Sequence, residues 1–177
     1  MSEQDYKFYL NSGIEKTNQG KFDEALEFLE KALSLNNKNA LIHFSKAIVY
    51  HNLHQLRAAY ENYSNAIKLD EKMIDAYYNR AQTILAFENP SQYELQEALE
   101  DLLKAVELDE KFIDAYYYAA TIKKKFKDYK GAIELLDKVL NLEPQAPYSR
   151  ALKKLIEQKY LGNWFTILSK ISALISM

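Results

Sequence analysis

The chain repeats itself. Residues 69–81 read LDEKMIDAYYNRA and residues 108–120 read LDEKFIDAYYYAA, identical at ten of thirteen positions. Self-similarity of this kind marks a stack of small units, none of which buries its apolar face alone, and it constrains the fold before any single element does. The segments KFDEALEFLEKAL, LRAAYENYSNAI, LQEALEDLLKAV and KGAIELLDKVL align on Ala25, Ala59, Ala98 and Ala132, spaced by 34, 39 and 34 residues. Four residues beyond each alanine stand Leu29, Tyr63, Leu102 and Leu136. Seven beyond stand Ala32, Ala66, Ala105 and Val139. Offsets of four and seven share one helical face. Small residues at two of the three places let a neighbouring helix come close, and the large one fills the space between.

A second helix precedes each of these segments, with Tyr9, His43, Tyr77 and Tyr116 in matching register. Short turns such as Gln19-Gly20-Lys21 and Lys127-Asp128-Tyr129 join the two. Only 4 glycines and 3 prolines interrupt the 177 residues, so irregular loops are few and the chain reads as mostly helical. Each unit is a helix-turn-helix pair that must stack on the next.

A 34-residue helix pair with this alanine, large, alanine order resembles the tetratricopeptide repeat, over residues 6–146. The family's small first-helix residue is matched by Gly13, Ala47, Ala81 and Ala120. Its proline after the second helix is matched only by Pro144, with Asn37, Glu71 and Glu110 at the other three places. Tyrosine or histidine replaces its first-helix tryptophan. The resemblance implies an all-α, right-handed α-solenoid of antiparallel helix pairs, with repeats at about 6–39, 40–73, 74–112 and 113–146, then C-terminal capping helices. In the longer third unit, Ser91 and Glu94 form a capping-box pattern, and the five extra residues are expected to extend that helix at its start.

Beyond the repeats, residues 147–161 read as a solvating helix with Lys153, Lys154, Glu157, Gln158 and Lys159 outward. Residues 163–176 read as an amphipathic helix, with Trp164, Phe165, Leu168, Ile171, Leu174 and Ile175 on its apolar side. A bilayer span needs roughly 20 apolar residues, so this segment is too short to cross one. Three readings stay open: packing on residues 148–161, pairing with a second copy as a homodimer, or lying on a membrane surface. A single lysine on the polar side supports the last poorly.

The resemblance implies a groove lined by first helices that receives a peptide or helix of another protein. The matching positions are Leu10, Asn11, Ile14, Leu41, Phe44, Ser45, Ile48, Tyr78, Asn79, Gln82, Tyr117, Tyr118 and Thr121. Tyrosine offers large contact area with a polar tip, which suits protein recognition. Cochaperone repeats of the family clamp a terminal carboxylate with lysine, asparagine and arginine. Those places here hold Leu10, Ile14, Ser45, Asp75 and Asn79, or, one unit on, Phe44, Ile48, Asn79, Asp114 and Tyr118. The cationic clamp is missing in both frames. Lys124 and Lys125, within the run 123–127, match groove-facing positions and suggest an acidic partner segment. A solvated face that complements the helix dipole is their default explanation.

A formal net charge of −2 disfavours nucleic acid, which needs a strongly basic face. With no cysteine there is no disulfide framework and no thiolate metal site. His51 and His54, three apart, would share a helix face, yet further metal ligands are missing. Phosphate-cradling glycine loops and nucleophile motifs are absent. No cofactor, metal or catalysis is implied, and the polar N-terminus, lacking signal-peptide character, reads as cytoplasmic. Two functions remain: an adaptor that holds another protein, or a structural subunit that self-associates or attaches through its C-terminal helix.

Overall fold

The computed structural model describes residues 3–160, and every regular element among them is a helix. In order these are α1 (Glu3–Asn18), α2 (Phe22–Leu35), α3 (Ala40–Asn52), α4 (Leu56–Leu69), α5 (Ile74–Leu85), α6 (Gln92–Leu108), α7 (Ile113–Lys125) and α8 (Tyr129–Leu142). A ninth, α9, occupies 147–160. The protein is thus an all-α helical repeat. It divides into two compact units after Leu108. The expected amphipathic helix at 163–176, with Trp164, Phe165, Leu168, Ile171, Leu174 and Ile175, lies outside the described residues.

In the first unit, α1 packs on α2, α3 on α4 and α5 on α6, while α2·α3 and α4·α5 join successive pairs. The repeated alanines explain how the helices come so close. Ala25, Ala59 and Ala98 are fully buried, as are Ala32, Ala66 and Ala105, with Leu29, Tyr63 and Leu102 between them. Gly13 sits where α1 crosses α2. A Cβ added there would stand 2.6 Å from Leu29 Cγ, closer than any packed carbon pair tolerates. Burial pushes the Tyr63 hydroxyl well above its ordinary value.

Local chemistry sets the ends of the helices. Asn39 caps α3 by accepting from the Leu41 amide at 2.9 Å. Ser91 and Glu94 form the reciprocal capping box. The Ser91 hydroxyl accepts from the Glu94 amide at 3.2 Å, and Glu94 Oε2 accepts from the Ser91 amide at 2.8 Å. Between units, Asn36, Asp70 and Asp109 each accept from the amide two residues on, at 3.2, 3.0 and 2.9 Å. These side-chain turns order the backbone just after α2, α4 and α6, where three of the four repeats have no proline.

The long third repeat differs in part from expectation. Helix α6 has 17 residues where α4 and α8 have 14, so only three of the extra residues join the helix. The rest lengthen the connection over 86–91. Glu94 holds the extension in place, because it also pairs with Arg57 of α4 at 2.7 Å.

One charged network is buried between α4, α5 and α6. Arg80 makes a bidentate pair with Asp101, Nε to Oδ2 at 2.8 Å and Nη2 to Oδ1 at 2.6 Å, and its Nη1 donates to Ser64 at 2.9 Å. Burial pushes the Asp101 carboxyl up, to about 6, against the pull of the Arg80 guanidinium. The fork geometry of arginine suits a buried carboxylate that a lysine would hold less well.

The second unit holds α7, α8 and α9. Its core is Ala120, Ala132, Leu136 and Ile156, with Leu152 packed against it. Helix α9 therefore contributes Ile156 and Leu152 inward, and Lys154, Gln158 and Lys159 face solvent. Lys153 reaches Asp137 of α8 at 2.6 Å. Asp128 caps α8 by accepting from the Gly131 amide.

Candidate interaction surface

First helices carry the expected groove residues, and the structure sorts them. In the first unit, Ile14, Phe44, Ser45 and Ile48 meet in one cleft of about 200 Å³ between α1 and α3, with Leu41, Thr17 and Asn18. The lining is mainly apolar. Leu41 is 42% exposed at its rim, and Phe44 is steadied from below by the Tyr63 ring at 5.7 Å. Thr17 and Asn18 went unread in the sequence. They stand one turn beyond Ile14, and the helical offset of three or four that joined Ile14 to Leu10 also reaches them.

Leu10 is a correction. It was expected in the groove, but it is 5% exposed and belongs to the core with Leu29, Ile42 and Val49. The rotation of α1 that brings Gly13 onto Leu29 turns Leu10 inward as well. Asn11 is exposed outside the cleft. Tyr78, Asn79 and Gln82 lie half-buried on α5, also outside it. Asn79 Nδ2 donates to the Asp75 carbonyl at 2.7 Å. The Gln82 Nε2 amide is buried with no hydrogen-bond partner.

In the second unit, Tyr117 and Tyr118 line a separate cleft of about 400 Å³. Ile113, Asp114, Val139, Glu143, Ala146, Pro147, Tyr148 and Ser149 complete it, from α7, the end of α8 and the start of α9. Tyr117 and Tyr118 meet edge to face at 5.6 Å, and Tyr148 is 80% exposed. Thr121, Lys124 and Lys125 are outside this lining, on later turns of α7. Thr121 Oγ1 donates to the Tyr118 carbonyl at 2.7 Å. Lys123 pairs with Asp128 at 2.7 Å.

The histidine spacing also needs correction. Helix α3 ends at Asn52, and His54 lies in the turn beyond with φ of 56°, so the two rings do not share a helix face. His51 Nδ1 lies 2.9 Å from Thr83 Oγ1, and that hydroxyl donates to the Asn79 carbonyl. With the Thr83 proton committed, His51 must be the donor of the pair. Among the described residues no three His, Cys, Asp or Glu residues come together as a metal site, and no helix is long and apolar enough to cross a membrane.

Known structures share this arrangement. MamA 41-end from Desulfovibrio magneticus RS-1 is 18% identical over 99% of this chain and 96% of its own, with a TM-score of 0.77. The first TPR of Spaghetti (RPAP3), bound to the HSP90 peptide SRMEEVD, is 22% identical over 72% and 97%, with a TM-score of 0.65. The Arabidopsis OM64 TPR domain is 26% identical over 69% and 97%, with a TM-score of 0.60. A family model described as TPR repeat matches residues 15–54. The chain has the tetratricopeptide-repeat (TPR) fold. A second model, described as regulator of microtubule dynamics protein 1-3, matches residues 75–161. A search of curated protein sequences gave no match. TPR repeats are in general interaction modules without catalysis, and the fold supports a protein-binding scaffold.

Proposed function

We propose that this TPR protein is a non-catalytic adaptor of the cytoplasm that holds a peptide or helix of another protein against its first helices. The observation that carries the reading is the apolar cleft between α1 and α3. Ile14, Phe44 and Ile48 present a preformed hydrophobic recess there, and Leu41 stays exposed at its edge. Side chains anchored in such recesses dominate the affinity of most interfaces. The lining offers no charge, so the anchoring residue of the partner is apolar. A carboxylate-ended partner of the cochaperone kind does not suit the site, because Leu10, Asp75 and Asn79 stand where cations would be required.

Display of random peptides against the full chain tests the proposal. Selected peptides are expected to carry an apolar anchor. Phe44→Ala or Ile48→Ala should weaken them about tenfold to a hundredfold, in line with roughly 1–3 kcal/mol per buried anchor contact. Peptides that bind these variants as well as the parent protein would show that the cleft is not the site.

A further inference from the structure

We infer that the cleft of the second unit receives a basic side chain, lysine or arginine, from the bound partner segment. This rests on the adaptor reading and adds the chemistry of a second anchor. The two charged groups in the lining are both carboxylates, Asp114 in the first turn of α7 and Glu143 at the end of α8. Helix dipoles do not reverse that sign. The N-termini of α7 and α9 and the C-terminus of α8 meet at the cleft, so their partial charges leave a net of about half a positive charge, which two carboxylates outweigh. No lysine or arginine is part of the lining, and Arg150, which follows Ser149, donates to the Pro144 carbonyl.

Aromatic rings supply the rest of the site. Tyr117, Tyr118 and Tyr148 line the same cleft as the carboxylates. Ring faces attract ammonium and guanidinium groups within about 6 Å, and they also cover the methylene stem behind such a head group. Neither an acidic nor a plain apolar side chain uses both features. The exposure of Tyr148, 80%, leaves a large ring available to close over a guest.

The test uses Nα-acetyl-arginine methylamide and Nα-acetyl-lysine methylamide, with the glutamine and glutamate analogues as controls, titrated into the full chain by NMR. Saturable shifts are expected at residues 113–118 and 146–149 with the basic probes, and affinity at least tenfold weaker with glutamine. Asp114→Asn with Glu143→Gln, and separately Tyr148→Ala, should each weaken the basic probes tenfold or more with the helical circular-dichroism signal intact. Equal binding of the glutamine probe, shifts confined to other helices, or an unaffected double variant would overturn the inference. So would spermidine binding far tighter than either probe, which would make the cleft a polyamine site. If displayed peptides depend on Phe44 and Ile48 while the basic probes leave 113–149 untouched, this inference alone fails. If the probes bind and no peptide does, the adaptor reading fails and the cation cleft stands.

Discussion

Among the described residues, three turns hold a residue in the left-handed backbone region, and one of these residues is glycine. Gly20, His54 and Lys127 stand at one register, five residues before Ala25, Ala59 and Ala132, with φ of 72°, 56° and 63°. A side chain at such φ costs roughly 1–2 kcal/mol, partly offset by the greater freedom glycine has when unfolded. His54→Gly and Lys127→Gly should therefore each raise stability by about 0.5–1 kcal/mol, measured by urea unfolding. This strain was not legible in the sequence, where His54 read as a helical neighbour of His51. A second expectation concerns His51. Burial holds its imidazole below its ordinary range, and the nearby charge of His54 adds to the effect. The unfolded chain takes up the proton near pH 6.5, whereas the folded chain resists it, so stability is lost as pH falls from about 7 to 5. His51→Asn should shrink the drop in Tm between pH 7.5 and 5.5; an unchanged drop would assign it to other groups.

At the scale of the element, sequence periodicity served well. The offsets of four and seven after each aligned alanine became buried faces in α2, α4, α6 and α8, because burial on one face is what the period encodes. The capping box at Ser91 was also legible, being a local pattern of two side chains and two amides. Ser91→Ala should destabilise the protein by about 1 kcal/mol, read by thermal unfolding. How the five extra residues divide between helix and connection was not legible. Their division depends on Arg57 reaching Glu94 across two helices, a contact 37 residues long in sequence. The same limit explains the second-unit cleft. Tyr117 and Tyr118 were read from their repeat position, but Asp114, Glu143 and Tyr148 join them only through the packing of α7, α8 and α9.

For the molecule as a whole, the adaptor reading predicts a solution mass. Light scattering of the full chain should give the monomer value of 20.6 kDa, with a version ending at Leu161 giving its own monomer value. A full-length dimer that the shortened version loses would move residues 163–176 into assembly and favour the structural-subunit reading. The cleft between α1 and α3 was only half legible. Repeat position says which helix face lines such a cleft, but a residue such as Leu10 sits at the edge of that face. A few degrees of helix rotation decide whether it lines a recess or fills the core.

The pairing of helices with their chain neighbours has a consequence for synthesis. Most helix packing in the first unit joins elements consecutive along the chain, while α1 with α3 and the side-chain pairs His51–Thr83 and Arg57–Glu94 reach one helix further. When α4 leaves the ribosome, the helix it packs on has only just preceded it. Loops this short close in well under a millisecond, while translation adds about 5–20 residues each second. Structure can thus form pair by pair behind the growing end, and no apolar face waits long for its cover.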